Sequence, residues 1–472
     1  MNRKVIKNIF FYGIGDFIVT GVTAFLFIPL YIKYLSVSEY GIFNVLNNNS
    51  TIFTYIFQFG IVSAFARIYF IRKAEKKEKA YTWNIIFLHI FYSLFLFLII
   101  YLFRDFIFTN LSPSIKDSRL FNYPVAIAFL TFLPSLYYIY LRVEEKASLF
   151  VIYQIANVAL IILCIFLNWY FYKLDLYTIL LSFFVTNATI WLVVILKFLP
   201  SFSIELDRKD FIDTIRFSFP IFISYIAYFF IAKYSIVILQ NHISLKDIGL
   251  FSLAQQISSI PSLVTIAITK AVQPYLFSSN STAELKDKTG KFDSSYKLIM
   301  IWVVGCLIFS VDIVFSSFLP SSYYSIHNVT KWLLLISLIY NFSIVENSIL
   351  LYFMKSKVIL AITLVGSILN VLLSNILVYK FSINGILIAM AIAFSVNFLL
   401  DVFFSRKHVR LDYNIKALLP CLMIIILFII ITSSNLVPLL IHYKVAYTII
   451  SFLVLTVSVA LFLKKTNHDF IK

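Results

Sequence analysis

The sequence predicts an all-α integral membrane protein of about fourteen transmembrane helices, arranged as two pseudo-symmetric six-helix lobes followed by two additional C-terminal helices. Composition is the first reason: 61% of the 472 residues are hydrophobic and only 13% are charged, too apolar a balance for a soluble core. The second is spacing, because apolar runs of about 20 residues recur along the whole chain, the length of helix that crosses a hydrocarbon layer of about 30 Å. The third is an internal repeat. YLSVSEYGIFNV at 34–45 returns 208 residues later as HISLKDIGLFSL at 242–253, so that Ser36, Glu39, Gly41 and Phe43 correspond to Ser244, Asp247, Gly249 and Phe251. Each copy follows one long apolar run and opens another, and reads as the hinge between the first two helices of a repeated unit.

Taken in order, the first lobe holds predicted helices at 8–32, 41–66, 83–103, 123–141, 149–171 and 177–198. The basic start (Arg3, Lys4, Lys7) resembles a signal peptide, but Asp16 interrupts the apolar stretch and no small-residue cleavage pattern follows, so the first helix is read as retained. Helix 4 is short and carries Pro124 and Pro134. The second lobe holds helices at 217–239, 249–275, 298–319, 332–354, 358–379 and 384–404, and a final pair spans 417–435 and 446–463. The corresponding domains are 1–200, 201–416 and 417–472.

Orientation follows from the basic residues. With the N-terminus cytoplasmic, 28 of the 39 Lys and Arg fall on that face and 9 on the other, so both termini are expected in the cytoplasm. Basic loops such as 67–79 and 405–410 then meet anionic membrane lipids, and the net charge of +17 carries no implication of nucleic acid. No connection exceeds about 22 residues, which leaves no room for an extramembrane catalytic domain, and no phosphate-binding loop, metal-ligand spacing or Ser/His/Asp arrangement is found. The sequence reading is therefore not an enzyme, with no cofactor. Cys164, Cys306 and Cys421 lie in apolar runs, and no disulfide is expected.

Polar residues inside the spans carry the functional information. Helix 2 bears Asn44, Asn47, Asn48, Thr51, Thr54 and Gln58 along one face; helix 8 bears Ser252, Gln255, Gln256, Ser259 and Ser262 at positions matching the first five. Lipid offers such side chains no partner, so the stripes face protein or water, as interhelical glue or as the lining of a wet cavity. The ionisable groups within spans are Asp16, His89, Lys233, Lys270, Asp312 and Glu346. Each costs about 2.5–3.5 kcal/mol at mid-bilayer unless it finds a partner, water or the headgroups. For Lys233 and Lys270 a cavity position and snorkelling stand side by side. For Asp16 and Glu346 the alternatives are a proton-binding or coupling role and a buried structural hydrogen bond. His89 reads as a packing residue and Asp312 as structural.

The segments FYGIGDFIVTGVTAFLFIPLYIKYLSVSEYGIFNVL, LKDIGLFSLAQQISSIPSLVTIAITKAVQP and FSINGILIAMAIAF resemble the polysaccharide biosynthesis (O-antigen flippase, Wzx-type) proteins of the multidrug/oligosaccharidyl-lipid/polysaccharide exporter superfamily. The resemblance spans essentially the whole chain. It implies alternating access, in the bacterial cytoplasmic membrane, for an undecaprenyl-pyrophosphate-linked oligosaccharide of O-antigen or capsule type, with other glycan-assembly proteins as partners and H+ or Na+ as the coupling ion. Relatives often carry an acid followed by Arg along helix 7, where this chain has Lys233, Tyr234 and Ser235, so no coupling scheme is carried over. Lys233 and Lys270 suit a pyrophosphate, and Asn44, Asn48, Gln58, Gln255 and Gln256 suit sugar hydroxyls. A small-molecule or cation exporter of the same fold is the alternative, and a membrane enzyme of glycan assembly a more distant one.

Overall fold

The computed structural model describes residues 21, 23–203, 205–277, 279, 281–411, 415–433 and 444–471. Among these, helix occupies each of the fourteen predicted spans as far as the described residues reach, no strand occurs, and 10 helical stretches are long and apolar enough to cross a membrane. The chain is a multi-pass integral membrane protein.

It divides into two compact units, Met1–Gly249 and Leu250–Lys472. The first contains α1 (Thr23–Tyr34), α2 (Val37–Gln58), α3 (Ile61–Ala74), α4 (Glu78–Leu102), α5 (Arg104–Leu111), α6 (Asn122–Leu130) and α7 (Phe132–Val143). It continues through α8 (Ala147–Phe171), α9 (Leu176–Phe198), α10 (Arg208–Ala232), α11 (Tyr234–Leu239) and the opening of α12 (Leu245–Ser258). The second contains the rest of α12, α13 (Ile260–Phe277), α14 (Thr282–Ser317), α15 (His327–Phe342), α16 (Ile344–Tyr352), α17 (Ser356–Arg406), α18 (Ile415–Ser433) and α19 (Lys444–Ile471).

The repeated hinge is a helix start signal in both copies. The Ser36 hydroxyl accepts from the Glu39 amide at 3.2 Å while the Glu39 carboxylate accepts from the Ser36 amide at 2.8 Å, a complete capping box that satisfies two otherwise orphaned N–H groups. In the second copy the Ser244 hydroxyl accepts from the Asp247 amide at 3.2 Å and donates to its carboxylate at 2.7 Å. Gly41 and Gly249, two residues beyond each acid, serve close packing instead. They lie against one another, so that a β-carbon on Gly249 would stand 3.0 Å from the Gly41 nitrogen. No side chain fits in that crossing.

Several apolar runs that read as single helices are interrupted. Predicted helix 2 breaks at Phe59 and Gly60, both left-handed (φ 46° and 70°), and a β-carbon on Gly60 would meet Ser218 O of α10 at 2.7 Å. Predicted helices 4, 7, 8 and 10 break at Thr131, Lys233, Ser259 and Ser343. The breaks at Thr131 and Ser259 stand just ahead of Pro134 and Pro261, whose missing N–H groups and rings open the preceding turn, whereas no proline marks Lys233 or Ser343. Predicted helices 11 and 12 both lie within α17, divided by a turn at Ser382 (φ 49°, ψ −126°), beside which Gly385 approaches the Leu377 backbone too closely for any larger residue.

Outward faces are apolar: Phe91, Leu94, Phe95, Leu98 and Leu102 of α4 form an exposed stripe at helical spacing, as a lipid-facing surface requires. The core of the first unit is aromatic, with Phe65, Tyr81, Phe132, Leu136 and Phe150 fully enclosed.

The sequence reading assigns the segment from 201 onward to the second lobe; in the structure α10 and α11 group with the first unit. Their polar anchors explain the grouping. At one end Arg72 Nε donates to Asp210 at 2.6 Å, Asn84 donates to the same carboxylate at 2.9 Å, and the Tyr81 and Thr214 hydroxyls meet at 3.2 Å. At mid-length the Ser63 and Tyr225 hydroxyls are 2.8 Å apart, and beyond α11 Gln240 binds Leu111 O at 3.0 Å and Ser114 at 3.0 Å.

Candidate functional site

The polar stripe of α2 acquires a direction from its neighbours. Gly41 touches Leu245 and Gly249, and Tyr55, fourteen residues on, stacks on Tyr225 of α10 with ring centroids 5.3 Å apart. Asn48 lies midway, seven residues from each and on the same face. α2 and the segment 225–245 run antiparallel between these contacts, and seven residues of helix rise about 10.5 Å, so Asn48 is level with Ala232 and Lys233, where α10 gives way to α11. The site is therefore a broken helix, with Lys233 at the break (φ −124°, ψ −13°).

The two groups differ in surroundings. Asn48 is only 4% exposed, and its Nδ2 and Oδ1 find no hydrogen-bond partner among the described residues. A buried amide left so costs about 1–3 kcal/mol. Lys233 is exposed rather than packed in the core. Among the described residues it makes no ion pair.

The remaining candidates separate. Asn44 donates to Tyr40 O of its own helix at 2.8 Å. Gln58 donates to Ser135 at 3.2 Å and joins α2 to α7, the interhelical glue of the alternative reading. Gln255 and Gln256 are half-buried near the end of α12, in the second unit. Lys270 lies in α13 with its side chain outside the described residues, and Asp16 lies outside them altogether. Glu346 is fully buried and accepts from Lys297 Nζ at 2.9 Å. Asp312 pairs with Lys331 at 2.7 Å, and His89 stacks on Phe132 at 3.5 Å with Ser93 beside it.

Sequence reasoning missed six buried charged residues, among them Asp401, 3% exposed inside predicted helix 12, and Lys331, 0% exposed and one residue before predicted helix 10. Arg72 and Asp210, 4% and 3% exposed, fall in stretches read as loops, and so do Asp293 and Lys297, 2% and 1% exposed. α14 begins at Thr282, well before the predicted start at 298, and draws the last two into the protein. The available signal was periodicity: Asp293 and Lys297 are four apart, and Lys297 follows His89 by the repeat offset of 208.

The architecture is shared with solved transporters. The lipid II flippase MurJ in an inward closed conformation superposes with a TM-score of 0.70 at 15% identity, covering 98% of this chain and 100% of that one. An inward-facing multidrug resistance MATE family transporter of the MOP superfamily gives 0.58 at 14% identity, over 82% of this chain and 97% of that one. An outward-facing structure from that family gives 0.55 at 17%, over 85% and 95%. At such identities the likeness establishes the fold. No curated protein sequence matches the chain. The family model of polysaccharide biosynthesis proteins matches residues 5–280, more than half of the chain, and the chain belongs to that family.

Proposed function

We propose that this protein is a flippase that moves an oligosaccharide linked to undecaprenyl pyrophosphate across the bacterial cytoplasmic membrane by alternating access, with both termini in the cytoplasm. The observation that carries the reading is the cation at a helix break inside the membrane: Lys233 interrupts α10–α11, keeps open surface and has no carboxylate partner among the described residues. A broken helix is a common way to present charge and free backbone groups to a polar substrate within a bilayer. An ammonium there suits a diphosphate, and the Asn48 amide at the same level suits a sugar hydroxyl or a phosphate oxygen. Family membership supports a role in polysaccharide biosynthesis, and MurJ is titled a lipid II flippase. Lys270, Asn44, Gln58, Gln255 and Gln256 complete the proposed substrate-contacting set, and the activity is transport rather than catalysis.

The test is Lys233→Gln in cells lacking the native protein, with membrane levels matched and lipid-linked repeat measured on the cytoplasmic leaflet. A charge-assisted hydrogen bond to phosphate contributes about 1.5–3 kcal/mol, so a loss of transport of about tenfold or more is expected, with Lys233→Arg partly retaining it. Wild-type flux in Lys233→Gln would overturn the reading. A variant that loses export of organic cations while handling the lipid-linked repeat normally would favour the exporter alternative.

A further inference from the structure

α10 belongs to one repeat by sequence and is bonded to the other. The offset of 208 makes predicted helix 7 the counterpart of predicted helix 1, and the second hinge leads it on into α12, yet its polar side chains reach α3 and α4 of the first repeat. Arg72 Nε of α3 donates to Asp210 Oδ1 at 2.6 Å and Asn84 Nδ2 of α4 to Oδ2 at 2.9 Å, so both oxygens of one carboxylate are held. One turn on, the Thr214 and Tyr81 hydroxyls meet at 3.2 Å. Farther along, Ser218 O passes Gly60, Phe222 stacks on Phe59 with centroids 4.6 Å apart, and the Tyr225 hydroxyl is 2.8 Å from that of Ser63. Residues 210, 214, 218, 222 and 225 recur at helical spacing, so one face of α10 makes the whole seam.

The seam is strongest at one end. Arg72, Asp210, Asn84, Tyr81 and Thr214 are buried, and the ion pair among them is a charge-assisted contact; Ser63, Phe222 and Tyr225 are half-buried and join through hydroxyls and rings. Both members of the ion pair keep a second stabilising neighbour on their own side. Arg72 Nη1 reaches Glu75, three residues on in the same stretch of chain, at 2.9 Å, and Asp210 stands in the first turn of α10, where the helix dipole favours an anion. Parting the seam therefore strands neither charge. Beyond the break at Lys233, where the backbone leaves helical geometry, α11 has an anchor of its own: Gln240 donates to Leu111 O and accepts from Ser114, each at 3.0 Å.

We propose that Arg72 and Asp210 form the latch of a gate on the cytoplasmic side, and that α10 swings off α3 and α4 about the break at Lys233 while Gln240 holds α11. The inference rests on the alternating access proposed above, in which a polar path must open toward the face bearing loop 67–79. α10 ends at Lys233, so its release opens a way from that face to the lysine. The other contacts of the seam suit repeated parting. They are hydroxyl pairs, stacked rings and the bare backbone of Gly60, none of which leaves a charge behind. A non-helical residue between two separately anchored helices is the kind of position that absorbs a hinge motion.

The test measures distances by pulsed electron paramagnetic resonance in the purified, full-length protein with its three native cysteines replaced. Spin labels at exposed Lys77 and Lys209 span the seam, and labels at exposed Lys116 and Asn241 span the Gln240 anchor. In Arg72→Gln the first pair is expected to shift to a longer distance as its main population while the second stays as in wild type; Arg72→Lys, which keeps a cation facing Asp210, should remain mostly closed. An unmoved first pair in Arg72→Gln overturns the proposal, and so does equal lengthening of both pairs, which would mean general loosening. These distances need no substrate, so an unmoved latch is separate from failure of the flippase reading, which Lys233→Gln flux decides. Should Arg72→Gln fail to fold, Ser63→Cys with Tyr225→Cys joined by a short, reducible bifunctional thiol reagent replaces it. Cross-linking should stop movement of the lipid-linked repeat and reductant should restore it; wild-type flux in the fully cross-linked protein overturns the gate.

Discussion

Gly41 and Gly249 pack backbone to backbone, each occupying the space that a β-carbon on the other would need: one added at Gly41 would stand 3.2 Å from the Gly249 nitrogen and 3.0 Å from the Leu245 carbonyl carbon. The two copies of the repeated hinge thus meet at equivalent residues. Because the obstructing atoms are main chain, relief requires a helix to move, and overpacking of this kind costs about 1–3 kcal/mol. Gly41→Ala and Gly249→Ala are each expected to lower the midpoint of thermal unfolding in detergent, and by similar amounts. Gly290→Ala, where a β-carbon meets nothing within 4 Å, should be neutral. Unchanged stability in both hinge variants would show that the crossing is not tightly packed.

The Ser hydroxyls of the hinges make a second, independent claim. Substituting an N-cap serine by alanine costs about 1 kcal/mol, and Ser36 and Ser244 occupy corresponding caps. Ser36→Ala and Ser244→Ala should each cost about that amount, and the double variant about the sum, since the caps share no partner. An effect in one copy only would separate the two hinges in function if not in sequence.

These two motifs explain what was legible. Ser36-x-x-Glu39 and Ser244-x-x-Asp247 are local signals, written within four residues, and the repeat made them visible. The apolar runs likewise located the spans. The breaks at Phe59–Gly60, Lys233 and Ser343 were not legible, because they depend on which helix lies alongside: Gly60 is left-handed where Ser218 of α10 passes. Buried charge was concealed for another reason. Lys297 lies one residue before a predicted span and Arg72 in a basic loop, and both count toward topology until a carboxylate from a distant helix claims them.

Topology itself remains testable through single cysteines. With Cys164, Cys306 and Cys421 replaced, a cysteine at exposed Lys116 should react with an impermeant maleimide in intact cells, and one at exposed Lys77 should react only after the cells are opened. The reverse pattern would invert the orientation drawn from the basic residues.

A pH effect is expected on the face bearing Asp117. Arg119 at 3.0 Å and the Tyr177 hydroxyl at 2.6 Å hold the Asp117 carboxyl well below the usual carboxylate range. A depressed folded-state value favours the folded protein above the unfolded value of about 3.9, and that contribution disappears as pH falls through the lower, folded value. Asp117→Asn should therefore be less stable than wild type at pH 7, with the gap closing as the medium is acidified below the ordinary carboxylate range. A gap that widens on acidification would contradict the assignment.

The strongest polar tie in the first unit is Arg72 with Asp210, and it allows the most searching experiment. Arg72 Nε donates to Asp210 at 2.6 Å, its Nη1 reaches Glu75 at 2.9 Å and its Nη2 approaches Asp213 at 3.5 Å, while Asn84 completes the Asp210 carboxylate. Arg72 and Asp210 are enclosed, so removing either alone leaves a buried charge without its main partner, a loss of about 3–5 kcal/mol. Replacing both by apolar residues removes the attraction and the desolvation cost together. Arg72→Met and Asp210→Leu are each expected to reduce thermal stability sharply, and the double variant to recover most of the loss. Glu75 and Asp213, both exposed, retain their hydration and should contribute little when substituted. If the pair served only as a topology signal the single variants would be stable but misoriented, which the maleimide pattern at Lys77 and Lys116 distinguishes from unfolding. Additive losses in the double variant would mean that Arg72 and Asp210 act separately rather than as a pair.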